Sequence, residues 1–479
     1  MDNPFLKQTC YISGQWISAR DGTTFPVTDP ATGERIGTVP DCGEVETQAA
    51  IVAAERALIG WRALTADTRS NLMMRLHDLI LENLDPLAEL LVYENGKPLA
   101  EAKGEIRYGA SFVRWFAEEG RRVYGEVIPA SSPDKRILVT RQPVGVCALI
   151  TPWNFPNAML ARKLSAALAA GCTLVAKPAE ETPFSALALA ALCELAGIPG
   201  GVVNVVTTAR PEVVGTVLTE SLAVRKLSFT GSSEVGELLM RQCAPTLKRL
   251  SLELGGSAPL IVFKDAHLRK AADGAMASKY RNCGQTCVAS NRFLIHESIA
   301  DQFAAMITSR SSQIKQGHGL EKGVTIGPMI SRAARDKIDR LLADAISKGA
   351  TLWCGGRPIG HGLFVAPTVV TGVTREMGLW QEEIFGPVIA IREFFTEEEA
   401  ISLANDTPYG LAAYIFTENL SRSWRVSEAL EFGMVGVNTG IISTAQAPFG
   451  GVKFSGFGRE GSRHGIEEYL NIKYTCVAI

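Results

Sequence analysis

Three residues whose types serve nucleophilic catalysis stand in distinctive local sequences. Cys287 lies in the polar, glycine-bearing stretch 282–291 (NCGQTCVASN), the kind of setting in which reactive thiols occur. Glu253 lies between two leucines and before a glycine pair, and apolar surroundings raise the pKa of a carboxyl group that serves as a general base. Asn154 follows a predicted strand, where its amide can donate to a developing oxyanion. An inert loop thiol, a solvated glutamate and a turn-capping asparagine would give the same patterns.

Two further stretches suit a dinucleotide. Lys177 and Glu180 follow a predicted strand and suit ribose hydroxyls, although a surface ion pair explains them equally well. The stretch 231–236 (GSSEVG) follows another predicted strand and begins a helix, whose N-terminal N–H groups suit a pyrophosphate. It is not the G-x-G-x-x-G fingerprint, and Glu237 stands where a phosphate-binding P-loop needs lysine. An ordinary strand–helix turn is the alternative.

Several other chemistries lack their residues. The histidines at 77, 267, 296, 318, 361 and 464 form no HxH or HExxH cluster, and His464 with Glu467 is one pair without a third ligand, so no metal site is predicted. No GxSxG elbow for a serine nucleophile occurs. The ten cysteines include no CxxC pair, which argues against a disulfide framework and a structural zinc site.

The composition bounds the class of protein. A chain of 479 residues with 46% hydrophobic and 20% charged residues is long enough for two or three domains with large cores. Lys and Arg number 48 against 50 Asp and Glu, a net charge of −2, so no basic field favours nucleic acid. The N-terminus lacks the pattern of a secretory signal, and no apolar run approaches the length of a membrane span. We therefore expect a soluble, cytoplasmic protein.

Strand-like apolar runs alternate with helical patterns, which predicts βαβ units and parallel sheets. The first series has predicted strands at 144–150, 173–176, 202–206 and 225–229, and predicted helices at 158–170, 183–196, 211–220 and 233–243. The second has predicted strands at 259–263, 292–295, 351–353, 365–370, 388–391, 411–416 and 434–437, and predicted helices at 300–315, 331–348, 396–405 and 419–430. Two α/β domains in tandem leave a cleft between them, where small ligands tend to bind.

Two segments fit neither series. After a turn-rich N-terminal stretch, helical periodicity covers 45–64, 69–81 and 101–118. Residues 121–141 and the tail 471–479 are instead β-prone. Because free strand edges need partners, we predict that both segments form subunit contacts.

Seven motifs together carry a resemblance. They are TPWNFP (151–156), KPAEETPFSAL (177–187), FTGSSEVG (229–236), LELGG (252–256), NCGQTC (282–287), EEIFGPV (382–388) and PFGGVKFSGFGREG (448–461). In this order and spacing the chain resembles the NAD(P)-dependent aldehyde dehydrogenase superfamily over essentially its whole length. The resemblance implies a Rossmann-like NAD-binding domain (1–120 and 140–250), a catalytic domain (251–440), and a β oligomerisation extension with the C-terminal tail (121–139 and 441–479).

The resemblance also implies roles for individual residues. Cys287 would be the nucleophile that forms a thiohemiacetal, Asn154 would hold the oxyanion, and Glu253 would activate the water that hydrolyses the thioester. Cofactor contacts would fall to residues at strand ends and turns, namely Trp153, Lys177, Glu180, Gly231, Ser232, Leu254, Glu383 and Phe385. A carboxylate that binds the ribose 2′-hydroxyl repels a 2′-phosphate, so Glu180 predicts a preference for NAD, with NADP possible.

Within the superfamily, the strongest resemblance is to succinate-semialdehyde dehydrogenases. It rests on 158–163 (AMLARK), 280–282 (YRN), 440–443 (GIIS) and 461–469 (GSRHGIEEY). In that subfamily, residues at the positions of Arg162, Arg281 and Ser443 hold the carboxylate distal to the aldehyde, and an arginine fork suits that role. Arginines paired to structural acids are the alternative. The resemblance favours a homotetramer over a dimer.

The sequence departs from the subfamily at two places. Ala289 stands where many members have a second cysteine, so a redox switch using that pair is absent, and Cys283 has no assigned role. Residues 444–446 (TAQ) stand where relatives often have an acid, which favours a differently shaped or more highly charged anion. A sulfonate aldehyde, 3-sulfolactaldehyde, is therefore an alternative to succinate semialdehyde, as is glutarate semialdehyde. A catalytically silent binding protein would be expected to lose the catalytic residues, which are all present.

Overall fold

The computed structural model describes residues 3–356 and 362–479. The strands of these residues are β1 (Cys10–Ile12), β2 (Gln15–Ile17), β3 (Thr24–Thr28), β4 (Arg35–Pro40), β5 (Glu126–Ile128), β6 (Lys135–Pro143), β7 (Val146–Ile150), β8 (Thr173–Lys177), β9 (Val203–Val205), β10 (Val224–Thr230), β11 (Arg249–Glu253), β12 (Ala258–Val262), β13 (Ser290–His296), β14 (Thr351–Cys354), β15 (Thr368–Thr371), β16 (Val388–Phe394), β17 (Ala412–Phe416), β18 (Met434–Val437), β19 (Gly456–Phe457) and β20 (Leu470–Ala478). The α-helices are α1 (Glu44–Ala63), α2 (Ala66–Glu82), α3 (Leu84–Asn95), α4 (Leu99–Glu119), α5 (Pro156–Ala170), α6 (Pro183–Leu195), α7 (Pro211–Glu220), α8 (Ser233–Cys243), α9 (Leu268–Tyr280), α10 (Ala300–Ser311), α11 (Arg332–Ser347), α12 (Gly378–Gln381), α13 (Glu397–Asn405), α14 (Leu420–Ala429) and α15 (Ser462–Glu467).

The first sheet has the order β19-β11-β10-β7-β8-β9-β1-β2. Its strands from β11 to β9 run parallel, whereas β19, β1 and β2 pair antiparallel at the two edges. Every residue of β7 and β8 is buried, as expected for parallel strands covered on both faces. Alternate residues of β7 belong to separate cores: Val146 packs in the cluster that includes α1, and Cys147 packs in the one that includes α5. The apolar run of β7 therefore serves both faces.

The second sheet has the order β14-β15-β16-β13-β12-β17-β18. It is parallel throughout except at its β14 edge, which pairs antiparallel with β15. Every residue of the neighbouring strands β12 and β17 is buried. The predicted α/β class with two parallel sheets is confirmed.

A third sheet joins the two segments that fit neither series. In the order β20-β6-β5, the tail strand pairs antiparallel with β6 from Leu470↔Pro143 to Ala478↔Lys135, and β5 pairs with the other edge of β6. All of β5 and all of β20 beyond Leu470 are exposed. The two β-prone segments thus supply partners for each other, and the strand extension retains bare surfaces.

The structure adds elements that periodicity does not predict. The N-terminal stretch forms β1 to β4, which are strands too short to give a clear apolar pattern. Two further helices, α3 and α9, are also not predicted; α9 contains Ala and Gly at many of its buried positions, which weakens its apolar pattern. Within 441–479, β19 pairs with the end of β11 and joins the first sheet, and α15 packs against α4 and α5. The tail segment therefore contributes to more than the strand extension. Over the ranges described, no helix combines the length and apolar character needed to cross a bilayer.

Candidate active site

One cavity gathers most of the predicted site residues. It has a volume of about 310 Å³ and is lined by the ends of first-sheet strands on one side and by second-sheet segments on the other. Its lining includes these predicted residues: Trp153, Asn154, Arg162, Gly231, Ser232, Leu254, Arg281, Cys287, Glu383, Phe385 and Ser443. Glu253, Lys177 and Glu180 do not line it.

The loop that carries Cys287 has an unusual backbone. Asn282, Cys283 and Gly284 adopt positive φ angles of 50°, 58° and 76° in succession, and a non-glycine residue in this region costs roughly 1–3 kcal/mol. A Cβ at Gly284 would collide with the carbonyl of Gly386, so glycine is required there. After this turn Cys287 lies half-buried at the cavity wall, while Cys283 is buried with Sγ 3.8 Å from the sulfur of Met329.

Charges around Cys287 act in both directions on its thiol. The pKa of Cys287 is raised to about 12 by the balance of several effects: burial raises it most, Arg162 lowers it, Glu383 and Glu253 raise it, and Arg281 lowers it. Loss of solvation is the largest of these effects, since it disfavours the charged thiolate. The thiol is therefore protonated at neutral pH in the protein alone.

Asn154 contacts the cysteine loop directly. Its amide nitrogen donates to the carbonyl of Gln285 at 3.1 Å, two residues before the thiol. An asparagine amide has two N–H groups, so one remains for an oxyanion. Among residues 3–356 and 362–479, its Oδ1 has no hydrogen-bond partner. The amide thus lies beside the thiol, as an oxyanion donor requires.

Glu253 ends β11 between Thr230 of β10 and Gly456 of β19. Both carboxylate oxygens are buried and lack hydrogen-bond partners in the described part of the chain. A Cβ on Gly450 would lie 2.9 Å from Oε1, so the carboxylate is directed toward Gly450, and Glu253 is not part of the cavity wall. Burial and the negative charge of Glu460 hold the pKa of Glu253 well above its usual range.

The two predicted arginines differ in their partners. Arg162 is buried, forms an ion pair with Glu460, and stacks its guanidinium 4.4 Å from the ring centre of Phe449. Its Nη1 has no hydrogen-bond partner within the residues described. Lys163 pairs with the other oxygen of Glu460. One carboxylate thus faces two cations.

Arg281 is held by an aromatic ring. Its guanidinium carbon lies 5.2 Å from the ring centre of Phe155, and no acid lies within ion-pair distance of it in the described ranges. Ser443 lines the same cavity. The alternative interpretation of Arg281 was an arginine paired to a structural acid. Because Arg281 has no such partner and lines the cavity, its charge is available to an anion there.

The predicted cofactor residues fall into two groups, those that line the cavity and those that lie outside it. Trp153 and Phe385 pack edge to face with ring centres 5.6 Å apart, and Ser232 caps the eleven-residue helix α8 beside Gly231. Glu383 accepts from the N–H of Gly256 at 3.0 Å, and burial raises its pKa to about 7. The N-terminus of α8, next to the aromatic pair Trp153 and Phe385, fits the phosphates of a dinucleotide.

Lys177 and Glu180 lie apart from the cavity. They form an ion pair with each other at 2.6 Å. An ion pair was the alternative to ribose binding in the sequence analysis. Lys177 is buried, and Glu180 is partly exposed. Their role in ribose binding stays a prediction.

The structure also brings residues to the site that the motifs do not assign. Tyr108, Met159, Lys337 and Phe449 line the cavity, and Lys337 donates to the carbonyl of Glu383 at 2.7 Å. Met159 and Phe449 lie inside quoted motifs. Tyr108 and Lys337 come from helices without motifs, so contact with the cavity is the only signal for these two. In the described residues, which omit His361, no group of three metal-ligand side chains occurs, and the cysteines are all free.

Known proteins match the chain along its whole length. The aldehyde dehydrogenase family model matches residues 16–475. The glutarate-semialdehyde dehydrogenase of Pseudomonas putida is 54% identical over 478 residues, which cover 100% of this chain and 99% of that protein. The NADP(+) succinate-semialdehyde dehydrogenase of Escherichia coli is 53% identical over 479 residues, covering 100% and 99%. A 3-sulfolactaldehyde dehydrogenase of Pseudomonas putida is 53% identical over 477 residues, covering 99% and 98%.

A solved structure matches the fold. The crystal structure of succinate-semialdehyde dehydrogenase from Burkholderia pseudomallei superimposes with a TM-score of 0.99 at 55% identity, covering 100% of both chains. Both the sequence match and the fold match extend over the catalytic cavity. The chain belongs to the aldehyde dehydrogenase family.

Proposed function

We propose that this protein is an NAD(P)-dependent semialdehyde dehydrogenase that oxidises succinate semialdehyde to succinate, using Cys287 as nucleophile. The observation that carries the proposal is the shared cavity in which a half-buried thiol lies with Arg162, Arg281 and Ser443. A short aldehyde with a distal anion can place its aldehyde carbon at the thiol and its anion at the arginines and the serine. Guanidinium groups bind carboxylates through paired, charge-assisted hydrogen bonds.

The first step forms a bond between Cys287 Sγ and the aldehyde carbon. The thiol proton passes to solvent water, and the carbonyl oxygen becomes an oxyanion. The Cys287 N–H and the free N–H of Asn154 donate to that oxygen, which is the charge that develops in the transition state. Oxidation of this thiohemiacetal leaves a thioester on the same sulfur.

Release of the acid requires water and a base. Glu253 accepts a proton from the water that attacks the thioester, and the thiol is regenerated. Because the Glu253 carboxylate is directed toward Gly450, its side chain turns toward the cavity for this step. Trp153, Gly231, Ser232, Glu383 and Phe385 would hold the cofactor, whose nicotinamide supplies the hydride acceptor when bound. The overall reaction consumes one water and produces one acid group.

The preferred cofactor is NAD. Its proposed determinant is Glu180, whose carboxylate would repel a 2′-phosphate. The substitution Glu180→Ala should lower the ratio of kcat/KM for NAD over that for NADP by about tenfold, since it removes the repulsion and leaves Lys177 as a free cation. Steady-state kinetics with both cofactors measure the ratio.

The neighbouring Glu181, which is also an acid in the same turn, provides the matched control. Glu181→Ala should leave the ratio near its original value. An unchanged ratio in Glu180→Ala would contradict the assignment of this carboxylate to the ribose.

Two other anionic aldehydes compete with succinate semialdehyde. Glutarate semialdehyde adds one methylene, and 3-sulfolactaldehyde replaces the carboxylate by a sulfonate; the relatives described above include enzymes named for each. Arginines alone do not separate the three. Side-by-side kcat/KM values on the three aldehydes decide among them, and NADH production from none of a panel of aldehydes would support a catalytically silent protein instead.

We further propose a cytoplasmic homo-oligomer, with a tetramer as the expected form. The exposed strand extension β5, β6 and β20 supports this assembly, because an uncovered sheet edge needs a partner. The free cysteines of the described residues agree with a reducing compartment.

A further inference from the structure

We propose that the buried ion pair Lys97–Glu105 is a positioning device for the oxyanion-binding amide of Asn154. The inference rests on the proposed function, since it takes Asn154 as the oxyanion donor. Neither residue touches the reacting atoms. Both act through the backbone of the turn between β7 and α5, on which Asn154 lies.

Lys97 holds the carbonyl side of this turn. It lies between α3 and α4, and its side chain and that of Glu105 are 0% and 1% exposed. Its Nζ lies 2.5 Å from Glu105 Oε2 and donates to the carbonyl of Asn154 at 2.8 Å. The same ammonium lies 4.0 Å from the ring centre of Phe155. The amine thus fixes the peptide that directly follows the Asn154 side chain.

Glu105 holds the amide side of the same turn. Its Oε1 accepts from the N–H groups of Asn157 at 3.0 Å and Ala158 at 3.2 Å. These are free N–H groups in the first turn of α5, where a carboxylate is favoured. Because Pro156 begins α5 and has no N–H, the first N–H groups of the helix are those of Asn157 and Ala158, and Glu105 accepts from both. The ion pair therefore binds the backbone on both sides of Phe155: Lys97 binds the carbonyl before it, and Glu105 binds the N–H groups after it.

A second contact links the same carbonyl to the cysteine loop. The Asn282 side chain donates to the Asn154 carbonyl at 2.9 Å, and the Asn282 N–H donates to Glu101 at 2.8 Å. The Asn154 carbonyl therefore accepts from two donors, the amine of Lys97 and the side-chain amide of Asn282. Lys97 fixes its position relative to α4, and Asn282 fixes it relative to Cys287.

A fully buried ion pair contributes little to the free energy of folding. Desolvating both charges offsets much of their attraction, and well-packed apolar residues are often at least as stabilising. What an apolar pair lacks is a directed set of hydrogen bonds to the Asn154 carbonyl and the α5 N–H groups. A displacement of about 1 Å at a catalytic group can cost about a hundredfold in rate, so the directed bonds have a functional reason.

A double-mutant cycle tests the coupling between Lys97 and Asn154. Lys97→Met should lower kcat about 10- to 100-fold without changing KM for the cofactor, and Asn154→Ala should lower kcat by about 100-fold or more. The double variant should be no slower than Asn154→Ala, because an amide that is absent cannot be misplaced. The rate of Cys287 alkylation by iodoacetamide should stay near that of the original protein in Lys97→Met.

Lys248→Met provides the matched control. Lys248 is also buried and donates its amine to a backbone carbonyl, that of Ser221, at the opposite end of β11 from Glu253. This variant should lose stability while retaining kcat within about twofold. If Lys97→Met is insoluble, Lys97→Arg replaces it in the cycle, with a three- to tenfold loss of kcat expected alone and none in the Asn154→Ala background.

Two outcomes separate the inference from the function beneath it. Losses of kcat that multiply in the double variant, or a Lys97 variant that retains full kcat, overturn the positioning role. Full kcat in Asn154→Ala overturns the oxyanion assignment itself, whatever Lys97 does.

Discussion

At the scale of single residues, the Cys287 thiol must lose its proton before it attacks a carbonyl. Burial, Glu383 and Glu253 oppose that loss, and the two arginines favour it. Because burial dominates, the free protein stores its nucleophile in the protonated and less reactive form. An anionic substrate that neutralises the arginines would remove part of their help, so binding of the substrate anion does not by itself favour loss of the proton.

The raised pKa of Cys287 predicts the pH dependence of its alkylation. With a pKa of about 12, the thiolate fraction rises about tenfold for each pH unit between 7 and 10. The rate constant for iodoacetamide should follow that slope without a plateau in this range. Mass spectrometry of the 287-containing peptide measures the rate site by site, and Cys287→Ala reports labelling of the exposed Cys476. A plateau near pH 8 would show that the arginines outweigh burial.

Of the two arginines, Arg281 can be replaced without breaking an ion pair in the described residues. Loss of Arg162 would leave the buried carboxylate of Glu460 without one of its two cations. Arg281→Leu should lower kcat/KM for succinate semialdehyde about 10- to 100-fold, because a hydrogen bond to a charged group contributes about 1.5–3 kcal/mol. The same variant should oxidise butanal, which has no distal anion, within about threefold of the original rate. Equal losses on both aldehydes would assign Arg281 to packing.

Residue types in motifs predict the catalytic trio but not the side chains that hold it. Cys287, Glu253 and Asn154 each occur in a short, recognisable string. The contacts of Glu460 and Lys97 cannot be predicted from their local sequences, because their partners lie far away in the chain. Ion pairs between distant residues depend on the tertiary fold, which periodicity does not encode.

At the scale of elements, the strand extension shows what local pattern predicts and what it leaves open. Alternating β-prone residues predict strands in 121–141 and in the tail. That the tail pairs with β6 over nine residues depends on where the rest of the fold places both ends. Subunit contacts remain a prediction for their exposed faces.

A charge on the exposed face of β20 should disrupt the proposed assembly. Ile472 and Tyr474, two residues apart on one face, are 65% and 61% exposed. Ile472→Asp with Tyr474→Asp should shift the molecular mass from oligomer toward monomer in light scattering, because burying the charges in an interface is costly. Ile59→Asp, on the exposed surface of α1, is the control and should not change the mass. An oligomer that survives both charges must be held elsewhere.

At the scale of the whole molecule, the two parallel sheets are tied together by contacts outside the cavity. His318 pairs with Asp29 at 2.9 Å, and the Leu99 N–H donates to the carbonyl of Gly319 at 3.0 Å. These bonds join the N-terminal elements to the segment that follows α10. The two sheets are thus coupled on more than one side.

This coupling predicts a single thermal transition. Calorimetry should show one cooperative peak, and NAD at a hundred times its Kd should raise the free energy of unfolding by about 2.7 kcal/mol. The whole peak should move to higher temperature, since both sheets contribute walls to the cavity. Two peaks, of which NAD moves only one, would show that the sheets unfold separately.

The order of the first sheet has a consequence for protein synthesis. Strand β11, which carries Glu253, is flanked by β10 and by β19, whose residues are Gly456–Phe457. A ribosome releases β19 long after β11, because about 200 residues separate the two strands in the chain. Until then the β11 edge has no neighbour, and Arg162 and Lys163 await the carboxylate of Glu460. A nascent chain that stops before β19 therefore lacks the neighbours of Glu253, the proposed base, so we expect activity only after β19 and Glu460 have been released.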